Sequence, residues 1–188
     1  MKKTHRFYAS LHAFSDHVLQ AAKALSGSAA QPEFSDRSEN TAQQYDRLLA
    51  GLSDAFVTPI DREDLLLCAQ SLYTLENALN TLCYASSIYR IKPKHSEYII
   101  TICALLQRAV HALGHKSAPI LTFLREGKEH IEYAKRACLR DYQDLSRLKI
   151  HSSYGVAHIQ FQLSNMLMVF SLCLDTIHTL EVIAVKHI

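Results

Sequence analysis

Apolar residues recur at steps of three and four along this chain, in six separate runs. The first places Phe7, Leu11, Phe14, Val18, Ala21 and Leu25 on one stripe and stops at the stretch SGSAAQPE. The second, from about Ser35 to Phe56, aligns Tyr45, Leu48, Leu52 and Phe56. Leu65, Cys68, Leu72, Leu75, Leu79 and Leu82 form the third, which ends at IKPKHSE, and Ile99, Ile102, Leu106, Ala109 and Leu113 form the fourth, which ends at GHKSAP. The fifth lines up Ile131, Ala134, Cys138, Leu145 and Leu148, with Asp141 in the same register. The sixth is the most regular: Val156, Ile159, Leu163, Met166, Phe170, Cys173, Ile177, Leu180 and Ala184. Such steps predict amphipathic helices packed side by side. Short connections make consecutive helices antiparallel neighbours. The predicted fold is all-α, an elongated antiparallel bundle of six helices.

Composition agrees with this pattern. The chain has 188 residues, enough for one domain with a substantial interior, and 48% of them are apolar. With 5 Gly, 4 Pro and no Trp there are few chain-breakers, which favours long helices over a sandwich or barrel. A net charge of +2 gives no support to nucleic-acid binding. Five cysteines stand singly with no C-x-x-C pair, the usage of reduced thiols acting as small apolar residues. The amino terminus lacks the uninterrupted apolar stretch of a secretory signal. The most lipid-like run, MLMVFSLCL at 166–174, is shorter than the roughly 20 residues a bilayer requires. A soluble, cytoplasmic protein is expected.

Candidate chemistry begins at the mouth of the third helix, in Phe56-Val57-Thr58-Pro59-Ile60-Asp61-Arg62-Glu63-Asp64. Thr58 can accept a hydrogen bond from a free backbone N–H, and Pro59 sits where its missing donor costs nothing. Asp61 takes the capping-box position, while Glu63 and Asp64, flanking Arg62 in sequence with Asp61, meet the positive end of the helix dipole. These residues read as structural punctuation, because the surrounding sequence supplies neither a nucleophile nor a base partner.

The same nine residues are similar to the signature F-(I/V)-T-P-x-(D/E)-R-E-D of the PhoU-like phosphate transport regulators. The closing segment also resembles that family at Cys173, Asp175, Leu180, Glu181 and Ile183, and the total length and helix lengths fit. The resemblance implies two antiparallel three-helix bundles, here a single domain over 1–188 with halves of about 1–92 and 95–188. It further implies a cytoplasmic, non-enzymatic regulatory role beside phosphate permeases, commonly the low-affinity inorganic phosphate type.

Members of that family typically carry acid-x-x-x-acid pairs on several helices. Carboxylates one turn apart on one face offer oxygen ligands to iron, zinc or another cation. In this chain the paired positions fall on Ser38 and Ala42, on Tyr73, Thr74 and Asn77, on Glu132 and Arg136, and on Leu167 and Ser171. A one-turn shift restores Asp46 or Glu76 but no set. Without an anionic field nothing holds a divalent cation against water. The expectation is therefore a chain with no metal, no other cofactor and no catalytic residues.

Other candidates each have a bland reading. His111 and His115 have a zinc-compatible spacing but no further ligands, and read as surface histidines. Glu126, Glu129 and His130 form either a carboxylate–imidazole site or a solvated, self-paired face. Asp141 either finds a partner across the bundle or yields the inner position to Tyr142. Arg136, Arg140 and Arg147, with Lys135, form either a face for an anionic partner or a solvated face balanced by Glu132 and Asp144. No phosphate-cradling glycine loop and no Ser–His–Asp or Cys–His set stands out. Leu66, Leu67, Tyr73 and Met168 lie outside the stripes; core packing is expected for them, with a partner interface or a homodimer seam as the alternatives. The functional expectation is a regulator acting by protein–protein contact with a phosphate permease or a signalling protein; the alternatives are a metal-binding regulatory bundle with a reduced site and a purely structural oligomeric helical bundle. It would reach the membrane only through such a partner.

Overall fold

Each of the six apolar runs folds as one α-helix. The computed structural model describes residues 2–26, 34–54, 60–88, 91–113, 119–147 and 153–187. In chain order the helices are α1 (Lys2–Ala24), α2 (Phe34–Asp54), α3 (Arg62–Ile88), α4 (Pro93–His111), α5 (Ile120–Arg147) and α6 (Ser153–His187). No strand occurs among the described residues. Helices α1, α2 and α3 pack on one another, as do α4, α5 and α6, and the two triads join through α3 with α6 and α1 with α4.

The stripes point inward as their spacing requires. Every stripe residue of α1, α3 and α4 is buried, including Phe7, Phe14, Leu72, Leu79, Ile99 and Ile102. On α5 the buried stripe holds Ile131, Ala134 and Cys138, and on α6 it runs from Met166 through Phe170, Cys173, Ile177 and Leu180 to Ala184. Leu145 and Val156 belong to helices, while Phe56 and Leu148 lie outside the described residues. All five cysteines are free and buried. Burial pushes the thiols of Cys68 to about 12, Cys83 to about 11 and Cys138 to about 11, so they stay protonated and unreactive.

Two details differ from the sequence expectation. Helix α3 starts at Arg62, and the carbonyl of Asp61 accepts the N–H of Leu65 at 3.0 Å, so Asp61 itself stands at the capping position. Thr58 and Pro59 lie outside the described residues. The second concerns α6: its stretch Ile159–His187 is long and apolar enough, by length and composition, to cross a bilayer, with a mean hydropathy of 1.6. Short runs underestimate it because polar residues such as Ser164 and Asn165 interrupt the apolar ones without lowering the average much. In the bundle 44% of that apolar window is buried against protein.

Gly127 is buried in α5 where that helix packs against Ile177 of α6. A Cβ there would stand 3.0 Å from Cδ1 of Ile177. Gly127→Leu is expected to lower stability by about 1–3 kcal/mol through overpacking, read as an earlier midpoint in chemical denaturation.

Candidate functional site

Three polar clusters among the described residues bear on the candidate site. The first lies where the start of α3 meets the end of α6. Asp64, only 5% exposed, accepts hydrogen bonds from Lys186 Nζ on Oδ1 at 2.9 Å and on Oδ2 at 3.2 Å, and His187 Nε2 lies 3.2 Å from the same Oδ2. Asp61 stands 3.9 Å from the same imidazole. The ligand atoms of Asp61, Asp64 and His187 fall within 4.8 Å of one another, the spread of a cation site. Lys186 already supplies the cation, however, and its ammonium touches both oxygens of Asp64. The hydrogen bond from Lys186 holds the Asp64 carboxyl below its ordinary value against the opposing effect of burial. This donor set suits an internal ion pair better than a divalent metal. Sequence reading missed it because 122 residues separate Asp64 from Lys186.

The second place is the seam between α2 and α3. Thr41, Glu76 and Asn80 are all buried there. Thr41 Oγ1 lies 2.9 Å from Glu76 Oε1, 2.9 Å from the carbonyl of Arg37 and 3.1 Å from Asn80 Nδ2. A hydroxyl has one proton and cannot donate to both the carbonyl and a carboxylate. The arrangement balances when Glu76 is itself protonated and donates to Thr41, which also receives Asn80 and donates to Arg37. Burial independently pushes Glu76 up to about 7. Its second oxygen is buried with no protein partner, which an ionised carboxylate would tolerate poorly. Glu76 therefore faces inward and is unavailable to a metal on the outer surface.

The third place links α4 to α5. Asp141 is partnered across the bundle, by Lys92 at 3.1 Å and His95 at 3.0 Å rather than by an arginine. Lys92 holds its carboxyl below the usual range, while burial lowers His95 against the pull of Asp141. Side chains of Tyr142 and Arg147 are not among those described, although Arg147 is the last residue of α5.

The remaining candidates scatter. His111 stacks on His12 at 4.4 Å and lies 2.9 Å from Asp16, which also accepts Gln107 at 2.6 Å; this places it in the α1–α4 seam rather than free on the surface. His115 lies outside the described residues. Glu129 and His130 share a shallow cleft of about 400 Å³ with Glu97, Tyr98, Thr101 and Tyr133, whereas Glu126 is half-buried nearby on α5. Arg136 and Arg140 are exposed, and Lys135 is half-buried. Of the family's paired positions, Thr74, Glu132, Arg136 and Ser171 are exposed, while Ser38, Ala42, Asn77 and Leu167 are half-buried. Asp46 is exposed on α2. Tyr73 stacks on Tyr45 at 4.4 Å and packs against the core as expected. Core packing fails for Leu66, Leu67 and Met168, which are 40%, 53% and 54% exposed, because they project from the sides of α3 and α6 that no other helix covers.

Two solved structures share this architecture. A PhoU-like phosphate regulatory protein from Shewanella oneidensis superposes with a TM-score of 0.60 at 12% identity, over 98% of this chain and 98% of its own. A PhoU-like protein from the same organism gives a TM-score of 0.64 at 15% identity, over 96% of this chain and 99% of its own. The six-helix, all-α fold is thus the fold of PhoU-like proteins. No family model and no curated protein matches the chain in sequence.

Two pH responses test the polar clusters. Native Glu76 keeps its proton up to about 7, whereas the unfolded chain releases it near 4.5, so the folded state binds more protons between these values. Stability therefore falls as pH rises through that window. Glu76→Gln is expected to match the wild type near pH ~5 and to exceed it by roughly 1–3 kcal/mol near pH ~8, measured by urea denaturation. Asp64 has the opposite sign: its lowered value contributes stability above the ordinary 3.8, lost as pH falls through the folded value. Asp64→Asn is expected to lower the thermal midpoint at neutral pH, with the difference from wild type closing in acid.

Proposed function

We propose that this chain is a non-enzymatic, PhoU-like regulator or accessory protein of inorganic phosphate transport, acting in the cytoplasm by protein–protein contact. The observation that supports it best is a full-length fold likeness to a PhoU-like phosphate regulatory protein, together with the nine-residue signature at 56–64. Fold alone does not carry function, so the reading rests on the signature as well. Residues 1–188 act in this proposal as one domain, its halves about 1–92 and 95–188. The partner is a phosphate permease or a signalling protein, and the exposed guanidiniums of Arg136 and Arg140 offer its anionic groups a bidentate face.

The proposal includes operation without a metal. Ser38, Ala42, Tyr73, Thr74, Asn77, Leu167 and Ser171 occupy positions where the family's cation ligands fall, and none is a carboxylate. A second reading, a regulator with a reduced metal site, finds its support in Asp61, Asp64 and His187. Lys186 on Asp64 argues against it, since an ammonium and a divalent ion compete for the same oxygens.

Elemental analysis after dialysis is expected to find no stoichiometric metal; one equivalent lost on Asp64→Asn would favour the second reading. Disruption of the gene is expected to change phosphate uptake in cells that carry the permease. Arg136→Glu with Arg140→Glu is expected to weaken recovery of the partner about tenfold without loss of helical signal. Unchanged uptake in the disrupted strain would overturn the phosphate reading.

A further inference from the structure

The outer groove between α4 and α5 carries chemistry that the three polar clusters do not use. On α5, Glu129, Tyr133, Arg136 and Arg140 fall at i, i+4, i+7 and i+11, which sets them on one helix face, and all four are exposed. On α4, Lys94, Glu97, Tyr98 and Thr101 form a matching stripe at i, i+3, i+4 and i+7. The helices run antiparallel, since Lys92 meets Asp141 while Tyr98 meets Tyr133. Like charges therefore gather, with Glu97 and Glu129 at one end and Lys94, Arg136 and Arg140 toward the other. Near the acidic end Lys128 is held on Glu181 of α6, and Arg125 stands a full turn from Glu129, with Glu126 and Glu132 between and beside them.

That acidic end is the open cleft of about 400 Å³, a volume within the range of small-ligand sites. Its walls offer two carboxylates, the His130 imidazole, the Thr101 hydroxyl and two tyrosine rings, with no lysine or arginine among the lining residues. The rings of Tyr98 and Tyr133 stand at 85° with centroids 5.5 Å apart, so they form two sides of a corner. Carboxylates and π faces both favour a cation. The Tyr98 ring already meets one, the Lys94 ammonium, 5.9 Å from its centroid and at the edge of useful range. Among the described residues the carboxylates of Glu97 and Glu129 meet no cation at ion-pair distance. A metal ion suits the cleft poorly, because the one trio of ligand groups close enough to share an ion, among the described residues, is Asp61, Asp64 and His187.

We propose that this groove binds a segment of a partner protein, with an arginine of the segment in the cleft and an acidic residue on Arg136 and Arg140. A guanidinium is planar, stacks on a tyrosine ring and bonds a carboxylate in bidentate fashion, so it uses both kinds of wall at once. Glu129 and Arg140 are eleven residues apart, about 16 Å along the helix. An extended segment covers that distance in about five residues. The separated charges also set the direction of the segment, since reversing it places arginine against arginine. The inference deepens the contact reading above and rests on it for a protein partner at Arg136 and Arg140, but not for phosphate.

The test is fluorescence anisotropy of the purified full chain with a labelled peptide carrying arginine and glutamate about five positions apart. Saturable binding is expected, with a dissociation constant below about 100 µM at low salt. Replacing the peptide's arginine by glutamine should weaken it at least about tenfold, and so should Glu97→Gln with Glu129→Gln in the protein. Both positions are exposed, so circular dichroism should stay that of wild type. Tyr133→Ala should weaken binding and Tyr133→Phe, which keeps the ring, should not. Asp46→Asn, at an exposed position on α2, removes an acid elsewhere and should change nothing. No saturation up to about 1 mM overturns the proposal, as does binding that survives the double glutamine variant. Free arginine that binds as tightly as the peptide also overturns it, giving the cleft to a small guanidinium compound. Unchanged phosphate uptake on gene disruption bears on the phosphate reading alone, because the peptide measurement contains no transporter.

Discussion

The packing of α3 against α6 is the constraint on which the rest of the bundle depends. These helices form the most extensive contact between the triads, and each is also held by its own triad on the inner side. Both bury stripes of large side chains, Leu65 through Leu82 on one and Met166 through Ala184 on the other. Apolar burial on this scale drives the union without directing it. Direction comes from the polar ends, where Asp64 at the start of α3 meets Lys186 and His187 at the end of α6, so the helices run antiparallel. The same union leaves one side of each helix uncovered, where Leu67 and Met168 are exposed.

Two buried carboxylates show how neighbours set the state of one chemical group. Asp64 has an ammonium in contact and stays ionised, because the ion pair outweighs desolvation. Glu76 has only a hydroxyl and an amide near it, so desolvation prevails and the neutral acid is favoured. The first acts as a fixed ionic link between two helices that join the triads. The second ties α2 to α3 through a proton that the surrounding pH can remove.

The chain shares its fold with PhoU-like structures at only 12% and 15% identity. Core stripes tolerate such divergence because any apolar side chain of suitable volume can fill them.

Periodicity alone determined the number of helices, their order and nearly all of the buried stripe residues, because a helix's face is set by local spacing. The signature at 56–64 pointed to the family whose fold the chain shares, and Asp141's place on a stripe left two readings open, a partner across the bundle or Tyr142 in the inner position. The sequence could not reveal which partner: Lys92 and His95 lie 49 and 46 residues away along the chain. It also could not show that Asp64 is buried on Lys186, that Glu76 turns toward Thr41, or that Leu67 and Met168 are exposed. Those facts arise where one helix lies beside another, and covering one face of α3 and α6 rather than both is a tertiary choice that the spacing of apolar residues leaves open.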